Sequence, residues 1–520
     1  MKIVLRWIFI FVLIISGTPL PGLLGMPAFK EPLLNKLNVY LTSKEQDIIR
    51  EFIEFLSIPN VYSDRVNINL NADFIKAMME KRGLQASIIK TNGNPVVYGE
   101  WNAPNAIQTL AFYAHYDGQP VEPSSWVGHK PFQPVLRPGK LELNSDLPRP
   151  IQLPPSGCRL NEDWRIYARS SSDDKASIMA LLAAIDFVQE SGAALKNNMK
   201  FIFEGEEEAG STNLPVFLEK HKGLLKSDIL FLCDGPAYYD GTPILFFGVR
   251  GILSLEITVY GSETNLHSGH YGNWAPNPAL KLVHLLASMK DDQGKITIDG
   301  FYDTAEPLKD IEKKALRSIP VFDEMLKEAF AINGLESRGL TLKEAIQLPS
   351  FNVNGMRCGW TGDQARTIIP SSATASIDIR LVKGNDPDYL VKKVKEHIQN
   401  QGFHVVEKDP SADLKRQYPQ VVKLTRKEEG YRAHRTPMDH PLCRRVIQNL
   451  AEYPEIDPVI FPSLGGSLPI HVFSDALAIP MIGVSFVNYD NNQHQANENI
   501  CIGHLWKGME IFSAIMMMEY

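Results

Sequence analysis

The stretch "MKFIFEGEEEAGS", residues 199–211, decides the fold. Its first half is a short apolar run, and its second half sets four carboxylates within five residues, Glu204 to Glu208. Such a run reads as a strand buried on both faces, and crowded carboxylates at its end need a cation or full solvation. Two further runs repeat the pattern. "TLAFYAHYDG" (109–118) ends on His115 and Asp117, and "DILFLCDGP" (228–236) ends on Asp234. Between them "KASIMALLAAIDFVQESG" (175–192) has helical spacing and is closed by Gly192. Apolar strands alternating with helices predict an α/β domain around a mostly parallel sheet, with ligands gathering at the carboxyl ends of its strands.

The 520 residues exceed what one core holds, so more than one domain is expected. From about Val249 the character changes. "ILSLEITVYG" (252–261) and "ATASIDIRLV" (373–382) alternate like half-buried strands, each followed by a helical pattern, "NPALKLVHLLASM" and "DYLVKKVKEHIQNQG". This predicts a smaller α+β layer of split βαβ, ferredoxin-like type inserted into the first domain. The expected boundaries are 40–249 for the first part of the α/β domain, 250–430 for the insertion, and 431–520 for the second part. A net charge of −7 argues against nucleic acid as a partner. The five cysteines show no CxxC spacing, which disfavours a thiolate zinc site. Lys2 and Arg6 precede "WIFIFVLIIS" (7–16), so residues 1–28 read as a signal peptide or an uncleaved membrane anchor of an exported, periplasmic or secreted, protein.

Several candidate ligands follow apolar strands: His115, Asp117, Glu207, Glu208, Asp234 and, a loop beyond "MIGVSFV", His494. Asp173 opens the helix that starts "DDKAS". Each has an ordinary reading alone. Asp173 and Asp174 could cap their helix, the glutamates could form a solvated turn, and single histidines are commonly structural. Together, two imidazoles and three carboxylates at one sheet edge make a mixed nitrogen and oxygen set suited to Zn²⁺ or a similar ion. Five side chains exceed one open zinc site. Two metals sharing a carboxylate, about 3.5–4 Å apart, fit better.

At these residues the chain resembles the M20 family of co-catalytic zinc peptidases, in its carnosinase-like dipeptidase and carboxypeptidase branch. The segments carrying the resemblance are "HYDGQP", "YARSSSDDKAS", "FEGEEEAGS", "CDGP", "LHSGHYGNWAPNP", "ARTIIP", "SIDIRLV", "GGSLP" and "QHQANE", in the family's order from about Ser43 to Tyr520. The resemblance implies two Zn²⁺ per subunit, other divalent ions being possible. His115 and Asp234 would hold one, Glu208 and His494 the other, and Asp173 would bridge them. Asp117 would orient His115, and Glu207 would be the general base. His267 would polarise the scissile carbonyl, from the neighbouring subunit in dimeric members. Arg380 would clamp a substrate carboxylate, with Thr367, Gly466 and Ser467 supplying further contacts. The inserted domain would serve as lid and dimerisation domain of a homodimer. Glu206 stands where relatives often carry a neutral residue.

The expected function is a dinuclear zinc hydrolase cleaving the amide bond of dipeptides or short peptides with a free carboxylate. An N-acyl-amino-acid deacylase would use the same site, and a binding protein on the same scaffold is the reading from another class.

Overall fold

The computed structural model describes residues 33–141, 147–336, 339–427, 430–468 and 470–519. The apolar segment expected to be a signal or anchor lies outside them. Among the described residues no helix is long and apolar enough to cross a membrane.

The larger sheet has eight strands, in the order Gln85–Ile89, Val96–Trp101, Asn197–Glu204, Gln108–His115, Ile229–Cys233, Met481–Ser485, Ile244–Phe246 and Val459–Phe461. The four central strands run parallel. Val96–Trp101 and Ile244–Phe246 flank them antiparallel. The sheet is therefore mixed at its edges: only six residues separate Gln85–Ile89 from Val96–Trp101, too few for the crossover that a parallel pair requires. The central strands carry apolar cores, Leu110–Ala114, Phe201–Phe203 and Ile229–Cys233, buried because helices cover both faces. Phe112 stacks between Phe201 and Phe231, with ring centroids 5.5 and 5.2 Å away. The helix Lys175–Glu190 is buried nearly all round. It lies against the sheet, the helix Leu33–Leu56 and the helix Ile502–Met516. Each large apolar side chain so buried contributes roughly 1.5–3 kcal/mol. Gly483 allows one close approach, since a Cβ there would lie 1.9 Å from the Phe246 ring.

The second sheet runs Ser350–Arg357, Ser372–Leu381, Gly248–Tyr260, Val421–Arg426, His404–Val406. Its first four strands are antiparallel, in the order a split βαβ unit produces. Ser372–Leu381 alternates half-buried and buried residues without a break. Its inner face packs with Leu282, Leu285, Leu390 and Val394 from the helices Pro278–Met289 and Pro387–Asn400. One continuous segment, Ile244 to Tyr260, passes from the larger sheet into the smaller one. The first residues of Gly248–Tyr260 also pair with His434–Arg435 and Leu464. A separate three-stranded sheet is made by Val135–Arg137, Arg165–Tyr167 and Asn499–Cys501. The five cysteines are free.

Candidate metal centre

Strand register brings the acidic stretches together. His115 pairs with Glu204 across the parallel ladder, and the Tyr116 N–H donates to the Glu204 carbonyl at 2.8 Å. Tyr113 pairs with Leu232, so Asp234 leaves its strand at the same edge. The turn after Glu204 depends on Gly205, where a Cβ would lie 2.5 Å from the Tyr116 hydroxyl. That hydroxyl donates to the Pro95 carbonyl at 2.6 Å and cannot easily retreat.

Asp173 sits at the middle of the cluster. One of its carboxylate oxygens is 3.0 Å from His115 Nε2 and the other 3.0 Å from His494 Nε2. Glu208 Oε2 lies 3.4 Å from His494 Nε2, and Asp234 Oδ2 lies 4.0 Å from His115 Nε2. Glu207 Oε2 is 3.9 Å from His115 Nε2. Asp173, Glu208 and His494 bring one ligand atom each within 4.8 Å of one another, and so do His115, Asp174 and Asp234. Asp174 thus competes with Asp173 for the His115 side. However, one Asp174 oxygen already accepts the His115 backbone N–H at 3.1 Å, whereas both Asp173 oxygens face imidazoles. Asp173 is therefore the better bridge. A cis peptide joins the two aspartates, and Asp174 is the N-cap residue of the helix that follows but makes no side-chain capping hydrogen bond.

Asp117 does more than orient His115. Its carbonyl and carboxylate oxygens stand 3.2 and 3.4 Å from His115 Nδ1. Its carboxylate also accepts the backbone N–H groups of Glu207 at 3.1 Å and Glu208 at 3.0 Å. One buried side chain thus sets the position of the histidine and of the glutamate turn. The four glutamates of that turn differ. Glu204 is buried and accepts from Tyr113 at 2.5 Å and Ser211 at 3.2 Å. Both Glu206 oxygens accept from Asn213 Nδ2 at 2.9 Å, which accounts for the extra charge. Only Glu207 and Glu208 reach the histidines.

Sequence reading missed Glu498. This fully buried carboxylate accepts from Arg169 Nη1 at 2.7 Å and from the backbone N–H groups of Ser170, Ser172 and Asp173 at 2.9–3.0 Å. The Ser172 hydroxyl donates to it at 2.9 Å. It ties the loop bearing Asp173 to the loop bearing His494. Glu498 closes the segment "QHQANE", but its residue type alone does not distinguish it from a solvated loop glutamate.

The electrostatics suit a cation. Burial raises Glu208 to about 7, with Asp173 adding repulsion, and raises Asp234 to about 6 in the same way. Burial also pushes Glu207 well above the usual range, with the charges of Asp234 and Glu208 adding to the effect. The hydrogen bond to Asp173 raises His494 to about 9. Burial opposes charge on His115, but Asp117, Asp173 and Glu207 outweigh it and hold its pKa well above normal. Divalent cations among these carboxylates would relieve the mutual repulsion that adds to the effect of burial. His115 Nε2 is buried and makes no well-aligned hydrogen bond, its nearest acceptor being the Asp173 carboxylate at 3.0 Å. The donor set, imidazole nitrogens and carboxylate oxygens around a shared carboxylate, fits two divalent ions.

The remaining expected residues form two further groups. His267 pairs with Ile368 beside Thr367, whose carbonyl accepts from the Ser268 N–H at 3.0 Å. His267 is exposed and lies beside His270, their rings tilted by 37° with centroids 4.5 Å apart. Arg380 donates to Ser467 Oγ at 2.7 Å and to Asp378 at 3.1 Å, next to Gly466. Among the described residues no hydrogen bond or ion pair joins either group to the acidic cluster within the chain. His440 accepts the Leu442 N–H at the start of its own helix.

Comparison with known proteins matches this architecture. Residues 247–405 match the peptidase dimerisation domain family. The structure of an M20 family metallo-carboxypeptidase, Sso-CP2 from Sulfolobus solfataricus, is similar at a TM-score of 0.69 and 30% identity, covering 91% of this chain and 98% of that one. The Cys-Gly metallodipeptidase dug1 of Schizosaccharomyces pombe is 24% identical over 92% of this chain and 97% of that protein. The Beta-Ala-His dipeptidase of Homo sapiens is 24% identical over 81% of this chain and 77% of that protein.

Proposed function

The chain belongs to the M20 family of metallopeptidases, and from that premise we propose that it hydrolyses the amide bond of dipeptides bearing a free carboxylate. The observation carrying this reading is Asp173 standing between His115 and His494 with Glu207 alongside. His115, Asp173 and Asp234 would hold one ion, and Asp173, Glu208 and His494 the other. Zinc is the expected metal, because its tetrahedral preference accepts this mixed donor set. When bound, the two ions supply Lewis acidity that makes a water nucleophilic near neutral pH and stabilises charge on the carbonyl oxygen.

The rest falls to the chain's own residues. Glu207, half-buried and held with a raised proton affinity, takes a proton from the attacking water and delivers it to the leaving amine. Asp117 keeps His115 and the Glu207 backbone in register during this transfer. Arg380, with Ser467 at its Nη1, holds the substrate carboxylate through its guanidinium fork. His267 donates to the carbonyl oxygen and, being exposed and unattached to the cluster, acts from a second copy. Exposed Leu280 and Val283 on the helix Pro278–Met289, Met356 on the edge strand Ser350–Arg357, and Trp274 in the turn before that helix support a dimer through that face. Export, expected from residues 7–16, belongs to the same proposal and is read by amino-terminal sequencing of secreted protein.

A panel of dipeptides against N-acetyl and N-succinyl amino acids, on protein of measured metal content, tests the activity. Hydrolysis of dipeptides that a chelator abolishes is the expected result. Turnover confined to the acylated amino acids would replace this reading with a deacylase, and turnover of neither would indicate a binding protein.

A further inference from the structure

Two arginines meet where the sheets join. Arg250 pairs in register with Ser467, and Arg380 sits opposite Ile252, two residues along the same strand. Alternation in a strand puts Arg250 and Ile252 on one face, and the residue opposite Ile252 shares it. The two guanidiniums therefore stand as diagonal neighbours on one face of the sheet.

Their partners are unequal. Arg380 Nε donates to Asp378 at 3.1 Å and its Nη1 to Ser467. Arg250 Nε donates only to the Gly465 carbonyl, at 2.9 Å, and among the described residues no carboxylate forms an ion pair with it. Half-buried and beside another cation, Arg250 has its pKa lowered to about 10 by burial and then by Arg380. Two guanidiniums against one carboxylate leave a positive surplus that an external anion would relieve.

The position of this surplus matters. The segment Leu464–Ser467 holds both arginines, through the Gly465 carbonyl and Ser467 Oγ. It continues into Leu468 and Ile470, which line the same narrow cavity as Glu207 and Asp234. The arginine pair is thus one short segment away from the acidic cluster.

We propose that Arg250 forms a second anion position beside Arg380, and that the enzyme prefers dipeptides whose carboxy-terminal residue has an acidic side chain. This rests on the dipeptidase reading above. Arg380 and Ser467 take the main-chain carboxylate, and the open fork of Arg250 takes the side-chain carboxylate bidentately. A glutamine or asparagine in the same place offers one acceptor and no charge.

The test compares kcat/KM for Ala-Glu with Ala-Gln, and Ala-Asp with Ala-Asn, on the metal-loaded full chain. In the wild type each acidic substrate should lead its amide by about tenfold or more. In Arg250→Met that ratio should fall towards one. Arg250→Gln keeps a donor for the Gly465 carbonyl and serves where Arg250→Met fails to fold. A wild-type ratio at or below one, or a ratio that survives both substitutions, overturns the proposal. Inhibition by free glutamate against free glutamine reads the same position without turnover. If no dipeptide is cleaved, the dipeptidase reading fails, while tighter binding of glutamate that Arg250→Gln abolishes would still support the anion position.

Discussion

Glu498 accepts the backbone N–H of Asp173 at 3.0 Å, so the loop that follows His494 holds the carboxylate standing between the two histidines. The same carboxylate also takes Arg169 and the N–H groups of Ser170 and Ser172. Glu498→Gln keeps the shape but loses acceptors and charge. It should lower metal affinity by about 10–100-fold, as loss of an outer partner typically does. Competition with a chelator measures this. Glu498→Ala should cost a further 3–5 kcal/mol of stability, roughly, through the stranded Arg169. Unchanged metal affinity in Glu498→Gln would show that the loop is held by other contacts.

Gly205→Ala tests how tightly the glutamate turn is set. Its new methyl would meet the Tyr116 ring, whose hydroxyl is engaged by Pro95. Overpacking of this kind costs about 1–3 kcal/mol. The melting temperature and kcat should fall together, because the displaced turn carries Glu207 and Glu208.

Subunit mixing tests His267. His267→Ala and Glu207→Gln should each be inactive as homodimers. After subunit exchange, a mixed dimer contains one site with an intact Glu207 and a partner carrying an intact histidine. Recovery of activity on mixing is expected. Persistent inactivity of verified mixed dimers would place His267 in its own chain's site, and an active His267→Ala homodimer would place it outside catalysis.

Glu510 gives a pH signature away from the site. Burial, with Glu455 adding repulsion, raises its carboxyl to about 7. The folded state therefore holds a proton that the unfolded chain releases near its ordinary, lower pKa. The neutral carboxyl's contribution is complete below that unfolded value and is lost as pH rises through about 7. Glu510→Gln should accordingly raise stability at pH 8 by about 1–3 kcal/mol and have little effect at pH 5. Denaturant titrations at the two pH values measure it.

Much of the fold and the grouping of the candidate ligands was legible in the sequence because apolar strands announce themselves and these residues follow their ends. The stretch from Met199 to Ser211 placed Glu207 and Glu208 at a strand terminus, and His115, Asp117 and Asp234 followed from the same pattern. The alternation in Ser372–Leu381 and its flanking helices foretold the second sheet. Register was not legible. Only the ladder puts His115 against Glu204, and no local signal says which parallel strands are neighbours. For the same reason Glu498 and Arg250 escaped notice, since each acts through residues distant in the chain. The antiparallel edges depend on connection length and sheet order, which periodicity does not encode.

The most direct test of the central claim is Glu207→Gln, with metal content and kcat measured on the same preparation. Glu207 lies beside His115 and is not needed to complete either three-residue ligand group. Two divalent ions per chain should be retained, and kcat for dipeptides should fall by about 10²–10⁴-fold. Retained metal with near-normal kcat would contradict the assignment of Glu207 as the base.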